Sequence, residues 1–175
     1  MDELSEMQAW FAVHKVLMRY CRGIDRCDIP LLLSAFHPDA TIHYFDGLTG
    51  NAWEHFSKFS PERYSVRCPQ RTISNLIVDF DGDIAYSEAY AVAYYMTERN
   101  GDGLEFVVWG VRYIDRLERR SDVLRISDRK VVHDWDTALP VNHAYPEHGD
   151  WMRGRLTGKS DKTDPSYGRP PMHLV

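Results

Sequence analysis

The chain has 175 residues, of which 43% are hydrophobic, 13% aromatic and 27% charged. That is apolar material for one core with little room for a second, and no stretch nears the roughly 20 apolar residues needed to span a bilayer. A net charge of −5 argues against the basic face of a nucleic-acid binder, since the densest cationic run, Arg116 to Arg120, is broken by Glu118 and flanked by Asp115 and Asp122.

The acidic start, Met1 to Glu6, lacks the basic and then apolar pattern of a signal peptide. Cys21, Cys27 and Cys68 have no metal-ligand spacing, which points to thiols in a reducing cytoplasm. Residues 4–25 repeat Met7, Phe11, His14, Leu17, Met18, Cys21 and Ile24 at steps of three and four, the stripe of an amphipathic helix. Gly23 weakens its last turn, and Asp25 falls where it should end. Asp28 can cap a short second helix with Pro30 in its first turn, carrying Leu31, Leu32, Leu33, Ala35 and Phe36 and stopping at His37-Pro38. A short strand from Ala40 to Phe45 precedes Asp46-Gly47. Part of 51–64 forms a third helix capped by Asn51, with Trp53, Phe56 and Phe59.

From residue 71 the pattern turns to strands: Thr72 to Phe80, Ile84 to Thr97, Leu104 to Leu117, and Val123 to Trp135. Asp81-Gly82-Asp83, Asn100-Gly101-Asp102-Gly103 and Arg120-Ser121-Asp122 supply tight turns, so the strands form an antiparallel meander. The fold class is α+β, with one domain over 1–136 and an extension over 137–175 that has no period and packs, if ordered, on a neighbour.

Alternation splits residues 84–96 into a large row, Tyr86, Glu88, Tyr90, Val92 and Tyr94, and a small row, Ala85, Ser87, Ala89, Ala91, Ala93 and Tyr95. The small row suits close packing against another sheet or a second subunit. Trp109, Val111 and Tyr113 share a row, as do Arg129, Val131, His133 and Trp135. Such rows describe either a core whose hydroxyls reach solvent or the aromatic walls of a ligand cavity.

Five segments resemble the SnoaL-like branch of the NTF2-like superfamily, the branch of scytalone dehydratase and bile-acid dehydratase. They are Arg19 to Asp28, Phe36 to Tyr44, Ile73-Ser74-Asn75 with Asp81 to Ala85, Gly110 to Leu117, and Arg125 to Trp135. The resemblance implies a cone, a curved antiparallel sheet, mixed or mostly antiparallel, wrapped around the N-terminal helices, with a pocket between them and a homodimer or homotrimer as the assembly. It also implies a first-helix Asp, here Asp25, paired with a His on the first long strand, a position occupied here by Arg71.

Arginine stays protonated at ordinary pH, so Arg71 cannot be a general base. It can stabilise a developing oxyanion or hold a carboxylate, or it can simply form an ion pair with Asp25 that ties helix to sheet. His133 is then the base that alternation places best, unless it is a hydrogen-bonded core histidine. The resemblance sets Tyr44 at a pocket tyrosine and Tyr94 at a second histidine position. Tyr20, Glu88, Tyr90, Tyr94, Trp109, Tyr113, Arg129 and Trp135 are the candidate substrate-binding residues, with Asp25, Arg71, His133 and Tyr44 catalytic.

His37, His43, His55, His133, His143 and His148 show no metal-ligand spacing, and no dinucleotide fingerprint, P-loop or nucleophile elbow occurs. No cofactor is expected. The reading is a cofactor-independent lyase that eliminates water or a small fragment such as formaldehyde from a hydroxylated aromatic or polycyclic apolar substrate. The alternatives are a ketosteroid-isomerase-like isomerase and a non-catalytic ligand-binding or dimerisation module.

Overall fold

The N-terminal helix α1 (Glu3–Asp25) starts where Asp2 accepts a hydrogen bond from the Ser5 N–H at 2.8 Å, with Glu3 and Glu6 in its positive first turn. Its second half buries Val13, Val16, Leu17, Tyr20, Cys21 and Ile24. This is a computed structural model, and it describes residues 2–44, 46–60, 67–98, 103–141 and 158–168, with the backbone alone for Arg67 and Cys68. Phe45, residues 61–64, Asn100-Gly101-Asp102, His143, His148 and the Cys68 thiol lie outside the described residues. Gly23 does not weaken the helix end. A Cβ there would sit 2.6 Å from the Leu32 backbone, so glycine lets α1 touch helix α2 (Ile29–Leu33). Asp28 caps α2 as expected, and the helix stops at Ser34, before His37-Pro38.

Strand β1 (Phe36–His43) therefore begins four residues earlier than the pattern suggests. Pro38 lacks an N–H, and the ladder skips it: the register shifts between Phe36 and Thr41. Strand β2 (Thr49–Asn51) and helix α3 (Ala52–Phe56) follow, the latter capped by Asn51. Four long strands complete the sheet: β3 (Arg67–Asp81), β4 (Ile84–Glu98), β5 (Leu104–Arg120) and β6 (Val123–Pro140). The last runs past residue 136.

The strand order is β2-β1-β6-β5-β4-β3. The meander is antiparallel as expected, and β1 pairs with β6 in parallel, so the curved, open sheet is mixed and mostly antiparallel, as the resemblance implied. Its inner face packs on α1 and holds the core.

The small row of β4 is the buried one: Ala85, Ser87, Ala89, Ala91 and Ala93 are each at most 5% exposed. Ala85, Ala89 and Ala91 join one core cluster with Val13, Val16 and Leu17 of α1, whereas Tyr86 and Tyr90 stand on the outer face, 46% and 43% exposed. The alanine row thus packs inside this chain and presents no surface to a second subunit. Residues 158–168 dock on their own chain too, at the α1–α2 junction. There the Tyr167 hydroxyl donates to Asp28 Oδ2 at 2.8 Å, and Arg22 lies 4.8 Å from the Tyr167 ring and donates to Ser166 Oγ at 3.1 Å. Among the described residues no helix is long and apolar enough to cross a membrane.

Candidate active site

The last turn of α1 delivers Asp25 to the inner face of β3. The Arg71 backbone N–H donates to Asp25 Oδ2 at 2.9 Å, and its Nη1 donates to Oδ1 at 2.5 Å. Both side chains are 11% exposed. Cross-strand pairing carries the same inner row from Arg71 through Ala93 on β4 to Trp109 on β5.

A second, deeper pair lies on β5 and β6. Asp115 and Arg129 are cross-strand partners, and Arg129 donates Nε to Oδ1 at 2.7 Å and Nη2 to Oδ2 at 2.6 Å, with both side chains fully buried. The guanidinium is held between Tyr20, at 4.0 Å from the ring centroid, and Tyr113, at 4.4 Å, with Phe36 at 5.6 Å. Its remaining terminal nitrogen, Nη1, is buried with no hydrogen-bond partner. Burial raises the Asp115 carboxyl above its ordinary value, and the charge and hydrogen bonds of Arg129 offset this only in part. Burial opposes the charge on Arg129, but the Asp115 charge and hydrogen bonds outweigh it, and Arg129 stays ionised.

Around these pairs the phenols are donors rather than bases. Burial raises Tyr44 well above its ordinary value, reinforced by its hydrogen-bonding neighbour Tyr20, and the nearby Arg129 and Arg71 only partly offset this. Tyr113 is raised in the same way, by burial first and Tyr20 second. Burial and then Asp25 push the buried Cys21 thiol up to about 12. None of these groups loses its proton near neutral pH.

His133 is on the inner face opposite Val111, with its ring edge-on to Trp109 at 6.4 Å and its Nε2 3.8 Å from Asp136. Its side chain is 29% exposed. Strands β5 and β4 separate it from β3, and it lies two ladder positions along from the Arg71 row.

Asp25, Arg71, Tyr20, Tyr44, Tyr113 and Arg129 therefore converge on the interior, with Trp109 and His133 farther along the same face. Glu88, Tyr90, Tyr94 and Trp135 do not join them. Alternation on β4 is respected, but the large row is the outer one: Arg112 donates to Glu88 at 3.5 Å and lies 6.0 Å from the Tyr90 ring, and Tyr94 stacks on Phe106. Trp135 starts in the His133 row by simple alternation, but the register shifts between Gly110 and Val111, where Asp134 is the extra residue. Trp135 consequently pairs with Gly110 on the outer face, 51% exposed, its indole over a position where any Cβ would collide. Asp115 was missed. A signal for Asp115 was present, a carboxylate in the row Trp109, Val111, Tyr113, Leu117 opposite a strand bearing Arg129.

The fold is a cone-shaped α+β scaffold, a helix-backed, open mixed sheet whose inner face gathers two Asp–Arg pairs and buried phenols. Residues 5–130 match the family model described as a SnoaL-like domain, and the chain belongs to that family. Among solved structures it is similar to hexachlorocyclohexane dehydrochlorinase LinA type 2, with a TM-score of 0.72 and 16% identity over 84% of this chain and 99% of that one. LinA type 3 from Novosphingobium barchaimii LL02 gives a TM-score of 0.69 with 16% identity, covering 81% and 97%. A candidate scytalone dehydratase from Novosphingobium aromaticivorans DSM 12444 gives 0.65 with 16% identity, covering 81% and 96%. No curated protein sequence matches significantly.

Proposed function

We propose that the protein is a cofactor-independent lyase that eliminates water, or a small fragment such as formaldehyde, from a hydroxylated aromatic or polycyclic apolar substrate. The observation that carries this is the unpartnered Nη1 of Arg129, fully buried between Tyr20 and Tyr113. A buried N–H without an acceptor costs about 1–3 kcal/mol. A substrate oxyanion would satisfy it, and more so as charge develops in the transition state. For loss of water His133 takes the proton from carbon and returns it to the departing hydroxyl. For loss of formaldehyde it takes the hydroxymethyl O–H proton, the C–C bond breaks, its electrons pass to the oxyanion facing Arg129, and the proton returns to the product. Tyr20, Tyr44 and Tyr113 donate hydrogen bonds to the substrate oxygens. The locked Asp25–Arg71 pair keeps its end of the interior rigid. Similarity to a dehydrochlorinase and a candidate scytalone dehydratase supports an elimination.

The pairing of Asp25 with Arg71 favours a second reading, a ligand-binding module without turnover, because that carboxylate is not free to act as base. A ketosteroid-isomerase-like proton shuttle is the nearest enzymatic alternative. Incubation with a panel of hydroxylated aromatic and polycyclic compounds, followed by mass-spectrometric product analysis, separates the three. Loss of mass supports the lyase, an unchanged mass with an altered spectrum the isomerase, and binding with no product the module.

A further inference from the structure

A second cationic cluster sits apart from the interior, where α1 crosses the start of β6. Arg19 on α1 reaches across and donates Nη2 to the Leu124 carbonyl oxygen at 3.4 Å, and the next residue is Arg125. The Nε atoms of both arginines are buried and have no hydrogen-bond partner. Neither guanidinium has a carboxylate within ion-pair distance among the described residues, although Arg125 is the ladder partner of Glu118. The local carboxylates are taken: Glu118 pairs with Arg116 and Arg120, and Asp39 pairs with Arg120 at 2.7 Å. Burial and then the charge of Arg125 hold the Arg19 guanidinium below its ordinary value.

Two like charges held together from separate elements, partly desolvated and with donors unspent, are unfavourable until an anion joins them. Guanidinium forks match the paired oxygens of a tetrahedral oxyanion, and two forks from different directions match its charge. We propose that Arg19 and Arg125 form a binding site for a phosphate group, distinct from the interior facing Asp25 and Arg71. The site needs no titration near neutral pH, and the lyase reading does not depend on it.

The test compares thermal unfolding of the full chain in inorganic phosphate and in chloride at matched ionic strength. Isothermal titration with phosphate is the second measurement, independent of any change in variant stability. The wild type should show a saturable, phosphate-specific rise of about 3 °C or more and a titratable single site. Arg19→Ala and Arg125→Ala should each remove both signals, while Arg116→Ala, whose residue already bonds Ser127 and Glu118, should keep them. Absence of a phosphate-specific signal in the wild type, or its persistence in both variants, would overturn the proposal.

Discussion

Asp25 accepts from Arg71 twice, once from the backbone N–H and once from the guanidinium, so one carboxylate fixes both the main chain and the side chain of β3 to the end of α1. With both side chains nearly buried, removing one partner leaves the other charged and poorly solvated. Arg71→Ala should cost about 2–4 kcal/mol, and Asp25→Asn less, because the amide oxygen still accepts from the Arg71 N–H. Denaturant unfolding measures both, and an Asp25→Asn loss equal to or greater than that of Arg71→Ala would contradict this order.

Asp115→Ala should be more damaging than Asp25→Asn, since it strands a fully buried guanidinium between aromatic rings. The expected loss is about 3–5 kcal/mol. A double replacement, Asp115→Leu with Arg129→Met, should recover most of it by removing both charges at once. A double variant no more stable than Asp115→Ala would show that packing, not the stranded charge, sets the loss.

Gly23→Ala reverses the usual sign of a helix substitution. In an exposed helix interior alanine gains about 1 kcal/mol over glycine. Here the new Cβ meets the Leu32 backbone at 2.6 Å, and backbone cannot swing aside, so a loss of about 1–3 kcal/mol is expected. Gly110→Ala meets only the ring of half-exposed Trp135, which can rotate, and should be milder. The ratio of the two losses in thermal unfolding decides.

Cys21 gives a pH dependence on the alkaline side. Its thiol is raised to about 12 in the fold from an ordinary 9.0. The native state therefore holds a proton that the unfolded chain gives up, and stability from this group falls as pH rises from 9.0 towards about 12. Below pH 9.0 it contributes no slope. Native Cys21 should also resist alkylation at pH 8 and react once unfolded, as read by mass spectrometry. Rapid labelling of native protein would contradict its burial.

Much of this architecture was legible because local chemistry declares itself. The helix stripe, the Asp28 and Asn51 caps and the Asp81-Gly82-Asp83 turn each depend on neighbours within a few residues. Which row of β4 faces inward was not legible, because alternation is symmetric and the helix across the sheet makes the choice. Trp135 was misplaced by a bulge, a one-residue insertion with no sequence mark at Asp134. The Asp115–Arg129 pair required a strand register that sequence alone does not supply, whereas Asp25 and Arg71 were linked through family resemblance.

The central claim is catalysis on the inner face, and the most direct measurement is turnover by His133→Ala on whichever panel compound the wild type converts. His133 is partly exposed and outside the core cluster, so the variant should fold normally. The account predicts a hundredfold or greater fall in kcat, the order expected for loss of a general base, with circular dichroism and ligand affinity unchanged. Turnover within a few-fold of wild type would contradict it.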